Sequence, residues 1–318
     1  MSDNTIEIAG VAIAPGKCHR LEIPVANLPT QTMLSLPVNV INGEQSGPKL
    51  WLSAAIHGDE INGVEIIRQI VANVEPKKLR GTIIAVPIVN VFGFIEQSRY
   101  LPDRRDLNRS FPGSTTGSLA ARLANLFMEK IVSCSTHGID LHTASSARTN
   151  LPQIRANLED EETYQVAKAF GAPIIMHAST RDGSLRQAAT KRGIPVLLYE
   201  AGEALRFDPE AIRVGVEGIM GVMNFLQMYS YPPPKNPRNS LEAENSRWIR
   251  ASRSGIFHLE VELGEKVEKK QKLGSIFDAF GENQTKVNAS CDGIVIGHTQ
   301  NPLVNQGDGI VHLAILER

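Results

Sequence analysis

The sequence predicts an α/β protein in which a three-layer domain with a mixed, mostly parallel sheet precedes a small all-β domain. Two observations lead to this fold class. From about residue 49 to residue 229, apolar runs typical of buried strands alternate with amphipathic helical patterns, and connections of that length join parallel strands. After about residue 240 the helical patterns end, and short apolar runs are separated by glycines, which is typical of β structure.

The elements follow from the periodicity of apolar residues. Residues 1–45 alternate apolar and polar side chains, which predicts short strands of uncertain domain membership. Between residues 46 and 230, strands are predicted at 50–56, 82–89, 137–142, 152–157, 173–178 and 194–200. Helices are predicted at 61–74, 118–134, 159–170, 184–192 and 209–229. These alternating elements make up the three-layer domain.

A proline-rich stretch separates the two predicted domains. Residues 231–240 contain three consecutive prolines, which end the preceding helix and favour an extended linker. The remaining residues, 241–318, form the predicted β domain, and its glycine-punctuated runs suggest a degenerate internal repeat.

Composition narrows the class of function. The 318 residues hold 33 Lys and Arg against 34 Asp and Glu, so no global field favours nucleic acid or an anionic membrane. No run of about 18 apolar residues could span a bilayer, and the N-terminus lacks a signal-peptide pattern. Three widely spaced cysteines without a CxxC pair predict buried free thiols. We therefore expect a cytoplasmic protein with no nucleic-acid or membrane partner.

One short motif points to a metal site. His57 and Glu60 lie where an apolar strand meets a helical pattern, and His142 ends a second predicted strand. Ligands of open α/β sheets gather at the carboxyl ends of strands. Two imidazoles and one carboxylate form a ligand set of catalytic zinc, which leaves a coordination position for water. The alternative is a solvated helix start in which Glu60 is only a capping acid.

Four further polar residues lie at positions that suit such a site. Asn108 and Arg109 follow Leu107, which can anchor their loop, and an Arg fork beside an Asn amide suits a substrate carboxylate. Glu200 ends an apolar strand and beside zinc could act as the general base; otherwise it is only a strand-end charge. Asp140 shares a strand face with His142, so it is either an acceptor for the imidazole or a buried strand-end acid.

The motifs together resemble a known family. Their order is His57-x-x-Glu60, Asp106-Leu-Asn-Arg109, Asp140-Leu-His142 and Tyr199-Glu200. Over residues 45–230 this order resembles the succinylglutamate desuccinylase/aspartoacylase family of zinc amidohydrolases, which have a carboxypeptidase-like fold. The resemblance implies that one zinc ion per chain is held by His57, Glu60 and His142, with Glu200 as the base.

The same resemblance implies roles for four substrate-facing residues. Asn108 and Arg109 match the pair that clamps the substrate carboxylate. Arg99, in Ser-Arg-Tyr, matches an arginine that polarises the scissile carbonyl, although its spacing to Asp106 is two residues longer than in short family members. Arg186 is a candidate for an arginine that meets a side-chain carboxylate of the substrate, and a plain helix-surface arginine is the alternative.

The C-terminal residues resemble a lipoyl- or biotinyl-attachment domain with a barrel-sandwich fold. A carrier of this kind presents a lysine at a hairpin tip, which falls here near residues 281–283, where there is none. Lys286 lies in the strand-like approach instead. We therefore expect a non-carrier module that walls the active site or forms an oligomer contact.

Three functions remain open on sequence alone. The first is zinc-dependent hydrolysis of the amide bond of a small N-acyl amino acid. The second is a metallocarboxypeptidase acting on peptides, which would need the same residues and a wide open cleft. The third is a catalytically inactive metal-binding scaffold, which would be expected to lack the base or the clamp. A homo-oligomer is compatible with each of them.

Overall fold

The computed structural model of the protein describes residues 4–232 and 239–316. Its helices are α1 (Asn62–Asn73), α2 (Val91–Ile95), α3 (Leu119–Lys130), α4 (Glu161–Phe170), α5 (Leu185–Thr190) and α6 (Pro209–Phe225). Its first strands are β1 (Ile6–Ile8), β2 (Val11–Ile13), β3 (Lys17–Asn27), β4 (Met33–Asn42), β5 (Gln45–Ala54), β6 (Arg80–Val86), β7 (His137–Ala144), β8 (Arg148–Ala156), β9 (Ile174–His177) and β10 (Val196–Glu203).

The C-terminal strands are β11 (Leu241–Ala243), β12 (Asn245–Arg250), β13 (Gly255–Leu259), β14 (Lys266–Val267), β15 (Lys272–Phe277), β16 (Thr285–Asn288), β17 (Gly293–Thr299), β18 (Leu303–Val304) and β19 (Gly309–Ile315). Every helix and strand predicted between residues 46 and 230 has a counterpart. The predicted strand 152–157 begins earlier, at Arg148, and the short helix α2 was not predicted.

A mixed sheet organises the molecule, as predicted. Strand β5 runs parallel to both β6 and β7, and β7 runs parallel to β10. On the far side, β8 runs antiparallel to β10 and parallel to β9. At the opposite edge, β4 pairs antiparallel with β6 and β3 with β4. The N-terminal strands β3 and β4 therefore extend the central sheet.

Helices cover both faces of the sheet because the side chains of its central strand alternate between two cores. Leu50 and Leu52 of β5 belong to a core shared with α1, α4 and α6. Trp51, between them, belongs to a second core shared with α3 and α5. Because both faces of β5 are buried, its sequence is a nearly continuous apolar run. The result is the predicted three-layer arrangement.

The C-terminal strands contribute to two sheets. Strands β16, β15, β13 and β18 form a separate sheet, consistent with the predicted small all-β domain. Strands β12, β19 and β17 extend the main sheet, because β17 pairs antiparallel with β8. Strand β11 also pairs with β9. The β15–β16 hairpin tip includes residues 281–283, and Lys286 lies within β16.

Three sequence expectations have different outcomes. Residues 233–238 of the predicted linker lie outside the described residues. All three cysteines are free, but Cys18 is exposed and Cys134 and Cys291 are half-buried, so the prediction of buried thiols was wrong. No helix in the described part of the chain is long and apolar enough to cross a membrane.

Candidate metal centre and its cavity

Three predicted ligands converge on one point. His57 follows β5, Glu60 precedes α1, and His142 lies in β7. One ligand atom from each can be chosen so that all lie within 4.8 Å of one another. Glu60 bridges the two rings, with Oε1 2.7 Å from His57 Nδ1 and Oε2 2.7 Å from His142 Nδ1. The three residues are 2–4% exposed, so Glu60 is not a solvated capping acid.

Each histidine is oriented by a second carboxylate. Asp140 Oδ2 lies 2.8 Å from His142 Nε2, and Asp106 Oδ1 lies 3.2 Å from His57 Nε2. A carboxylate on Nε2 favours the tautomer with its proton there, so the Nδ1 lone pair can bind a metal. Asp140 is itself held by the Ser53 hydroxyl, which donates to Oδ1 at 2.8 Å. Of the two interpretations left open for Asp140, the structure supports the acceptor for the imidazole, and this donor set fits a divalent cation.

The electrostatics of the cluster are dominated by these buried contacts. Burial opposes ionisation of Glu60, but His57 and His142 outweigh it and hold the carboxyl pKa well below its usual range. Burial likewise lowers the pKa of His142, but Asp140 and Glu60 raise it well above the ordinary value. For His57, Glu60 and Asp106 similarly outweigh burial, and its pKa is raised. Anionic oxygens thus surround the imidazoles and favour a bound positive charge.

Arg99 lies against the same cluster. Its Nη1 is 3.2 Å from His57 Nδ1 and 3.4 Å from Glu60 Oε1, and its Nη2 donates to Asp106 Oδ2 at 3.0 Å. The side chain is 27% exposed and also lines the adjoining cavity. The longer spacing between Arg99 and Asp106 therefore does not keep them apart.

The loop containing Asn108 and Arg109 is anchored as the sequence predicts. Leu107 is fully buried, and Asp106 accepts a hydrogen bond from the Asn108 backbone N–H at 2.8 Å. The Asn108 side-chain oxygen accepts from the Leu185 backbone N–H at 2.9 Å, which leaves its amide nitrogen to donate elsewhere. Both Asn108 and the exposed Arg109 line the cavity beside the cluster.

Glu200 lies beside the cluster because its strand is adjacent to that of His142. The two residues are register partners in β10 and β7, and Glu200 lines the same cavity. Its Oε2 accepts a hydrogen bond from Asn150 Nδ2 at 2.8 Å, and Arg155 Nε lies 3.8 Å from the same oxygen. No hydrogen bond from the described residues reaches Oε1.

Arg186 is buried rather than on a helix surface, so the surface alternative was wrong. It is 7% exposed, and its Nη1 and Nη2 each donate at 2.8 Å to the backbone oxygens of Ala178 and Ser179 respectively. Burial, with nearby Arg155, lowers the pKa of its guanidinium to about 10. Two neighbouring arginines at one cavity wall favour an anion there.

Several cavity residues were not singled out from the sequence. The cavity has a volume of about 470 Å³. Its unpredicted residues include Arg148, Asn150, Arg155, Trp248 and His312. The Trp248 and His312 rings stack at 4.5 Å, and the Arg148 guanidinium lies 4.8 Å from the Trp248 ring centroid. Trp248 and His312 come from the C-terminal strands, and no local motif marks them. His312 is buried and lines the cavity.

Comparison with known proteins agrees with this geometry. The family model for the succinylglutamate desuccinylase/aspartoacylase catalytic domain matches residues 46–226. The N-alpha-acetyl-L-2,4-diaminobutyric acid deacetylase of Halomonas elongata is 27% identical over 311 residues, covering 92% of this chain and 90% of that protein.

Solved structures share the fold along nearly the whole chain. A succinylglutamate desuccinylase/aspartoacylase from Rhodobacter sphaeroides has a TM-score of 0.83 at 24% identity and covers 95% of each chain. The product-bound ectoine utilization protein EutE (DoeB) from Ruegeria pomeroyi has a TM-score of 0.85 at 22% identity, covering 99% of this chain and 100% of that one. These similarities include the C-terminal strands as well as the three-layer domain.

Proposed function

As a member of the succinylglutamate desuccinylase/aspartoacylase family, the chain is an amide-hydrolysing enzyme, and we propose that it uses zinc to deacylate a small N-acyl amino acid. One observation carries the proposal most strongly. The cluster of His57, Glu60 and His142 borders the same cavity as Glu200 and Arg109. A ligand set, a base and a carboxylate partner thus surround one space.

Zinc is the metal that this donor set suits best. Imidazole nitrogens with one carboxylate are typical of catalytic zinc sites, whereas magnesium and calcium prefer oxygen ligands. His57, Glu60 and His142 would hold the ion. When bound, it would polarise the amide carbonyl and favour ionisation of a water molecule.

Glu200 is the proposed general base. Its Oε2 is anchored by Asn150, while Oε1 accepts no hydrogen bond from the described residues and can take a proton from water. The same oxygen can then deliver that proton to the leaving nitrogen. A general base of this kind typically raises the reaction rate about 10²–10⁴-fold.

Three residues of the cavity are proposed to hold the substrate. Asn108 and Arg109 are proposed to bind the substrate carboxylate, because an amide donor and a planar guanidinium together match its two oxygens. Arg99 is proposed to donate to the carbonyl oxygen as it becomes negative. Its guanidinium is within 3.4 Å of Glu60, so it lies on the same side of the cavity as the proposed ligands.

The charge of the cavity favours an acidic substrate. The lining contains six arginines and two glutamates, namely Arg99, Arg109, Arg148, Arg155, Arg181, Arg186, Glu60 and Glu200. We propose that a second substrate carboxylate binds near Arg186 and Arg155. A cationic side chain, as in the diaminobutyric acid named for the Halomonas relative, would be opposed by these arginines.

The walls of the cavity favour a small molecule over a peptide. Trp248 and His312, from the C-terminal strands, line the same cavity as Glu200. Such a wall restricts the space into which a longer chain would extend. The carboxypeptidase alternative is therefore not favoured, and the presence of Glu200, Asn108 and Arg109 argues against an inactive scaffold.

A panel of N-acyl amino acids tests the proposal. We expect amine release from an acidic substrate such as acetyl-aspartate or succinyl-glutamate, a slower reaction with acetyl-diaminobutyrate, and loss of activity after chelation that zinc restores. Glu200→Gln should retain zinc while its kcat falls about 10²–10⁴-fold. Activity unaffected by chelation would reject the metal mechanism, and a Glu200→Gln enzyme within about tenfold of wild type would reject the base.

A further inference from the structure

One row of paired residues crosses the main sheet from the C-terminal strands to the active site. Trp248 pairs with His312, His312 with Gly297, and Gly297 with Asn150. Asn150 in turn pairs with Gly202 of β10. The row joins β8 and β10 of the three-layer domain to the C-terminal strands, so β17 directly adjoins the strand whose Asn150 contacts Glu200.

Asn150 is the neutral donor that anchors Glu200. Its amide nitrogen lies 2.8 Å from Glu200 Oε2, and the residue is 7% exposed. The register between β8 and β10 shifts between Glu200 and Gly202, and irregularities of this kind re-aim side chains near active sites. This local irregularity lets Asn150 contact a carboxylate that is not its direct register partner.

Without Asn150, the nearest competing partner of Glu200 is a cation. Arg155 Nε is buried and has no hydrogen-bond partner among the residues that the structure describes. It lies 3.8 Å from Glu200 Oε2, which is too long for a hydrogen bond. A carboxylate released from Asn150 would therefore be drawn towards Arg155 and away from its present orientation.

The backbone at Gly297 lies close to the side-chain oxygen of Asn150. A Cβ atom at position 297 would lie only 2.6 Å from Asn150 Oδ1 and 3.1 Å from the Thr149 backbone oxygen. A side chain there would displace the amide or separate β17 from β8. The missing side chain is thus what allows the C-terminal strand to approach Asn150 closely.

We propose that Asn150 is a positioning residue for Glu200 and that Gly297 maintains its orientation. The inference rests on the proposed function, in which Glu200 is the base. One anchored oxygen fixes the plane of the carboxylate and keeps the other oxygen facing the water that loses its proton. The C-terminal strands therefore act on the chemical step as well as forming a wall.

Substitution of Asn150 tests whether this residue positions Glu200. Asn150→Ala should lower kcat about 10–100-fold, the scale of a displacement of about 1 Å in a reacting group, with little change in KM or zinc stoichiometry. Asn150→Asp keeps the shape but removes the donor, so it should lower kcat as well. Asn42→Ala is a matched control, because Asn42 is also buried and donates hydrogen bonds to Asn4 and Ile13. It should lower the melting temperature without lowering kcat.

A double-mutant cycle tests whether Gly297 maintains the orientation of Asn150. Gly297→Ala should lower kcat in the wild-type background but by less than about twofold in the Asn150→Ala background, because residues in contact are coupled. Gly293→Ala, in the same strand, would meet the Ala314 backbone oxygen rather than Asn150. It should affect stability without this coupling to Asn150.

The outcomes separate the inference from the proposed function. If Glu200→Gln lowers kcat as expected, by about 10²–10⁴-fold, while a folded Asn150→Ala or Asn150→Asp enzyme keeps kcat within about threefold of wild type, Asn150 does not position the base. If Gly297→Ala and Asn150→Ala reduce kcat multiplicatively, Gly297 does not act through Asn150. Wild-type protein without amidase activity would reject the proposed function itself.

Discussion

Replacing Asp140 with asparagine isolates the effect of one negative charge on the candidate metal site. The shape of the side chain is retained, and its amide oxygen can still accept from His142 Nε2 while its amide nitrogen faces the Ser53 hydroxyl. Only the charge 2.8 Å from the imidazole is removed. The substitution therefore tests whether this carboxylate strengthens metal binding by His142 or only orients the ring.

The size of the effect follows from burial. Carboxylates that orient metal-bound histidines typically contribute 10–100-fold in affinity, which is about 1.4–2.7 kcal/mol. The Asp140 side chain is 1% exposed and its distance to His142 is short, so solvent screens it little and we expect about 100-fold weaker zinc binding. Asp106 is 17% exposed, lies 3.2 Å from His57 and also pairs with Arg99. Asp106→Asn should therefore cost only about tenfold.

Competition with a chromophoric chelator measures both zinc affinities on the folded proteins. Ser53→Ala is the control, because it removes a hydrogen bond to Asp140 while leaving the charge in place, and it should have a smaller effect than Asp140→Asn. Two results would refute the argument that burial and distance set the contribution of each carboxylate. One is a zinc affinity of Asp140→Asn within about twofold of wild type. The other is a larger loss of zinc affinity for Asp106→Asn than for Asp140→Asn.

Three further substitutions probe pH dependence, packing and substrate charge. Burial, together with two nearby arginines, lowers the pKa of His312 to about 3. Between that value and about 6.5, the unfolded chain therefore binds more protons than the folded one, and the free energy of unfolding falls as the pH decreases. His312→Gln should make the free energy of unfolding less dependent on pH in this window. An unchanged dependence would contradict the assignment. Gly138→Ala would place a methyl group against the fully buried Trp51 ring and should destabilise the fold by about 1–3 kcal/mol in urea titrations; an unchanged midpoint would contradict this packing. Arg186→Gln should raise KM for an acidic substrate about 10–100-fold, as expected for a lost hydrogen bond between charged groups; steady-state kinetics with an unchanged KM would show that Arg186 has only a structural role.

The candidate metal cluster was predictable because its residues lie in short motifs at the ends of strands. His57 and Glu60 follow an apolar run, and His142 ends another, so the topology of a parallel sheet brings them to one edge. Asp140 was predictable from strand parity, because alternate residues share a face. The burial of Arg186 was not predictable. Its backbone partners, residues 178 and 179, follow a strand, and the local sequence does not show which strands that one pairs with.

The other half of the cavity depends on strand pairing between distant segments. Asn150, Gly297 and Trp248 carry no motif, and their proximity arises from the pairing of β8 with β17 and of β19 with β12. A glycine-punctuated β module predicts short strands but gives no information on which sheet they join. The sequence therefore indicated a wall or an oligomer contact without distinguishing between them.

If the chain acts on an acidic substrate, as proposed, the segregation of charge in the cavity would let a nearly neutral chain select it. The chain has a formal net charge of −1, so no long-range field distinguishes one substrate from another. Within the site, however, the acids Glu60, Asp106 and Asp140 contact the two imidazoles, where they favour a metal cation. Apart from Arg99, which contacts the same cluster, the arginines line the adjoining cavity. Because opposite charges are directed at different ligands, metal affinity and substrate selectivity can be changed separately, as the Asp140 and Arg186 variants are expected to do.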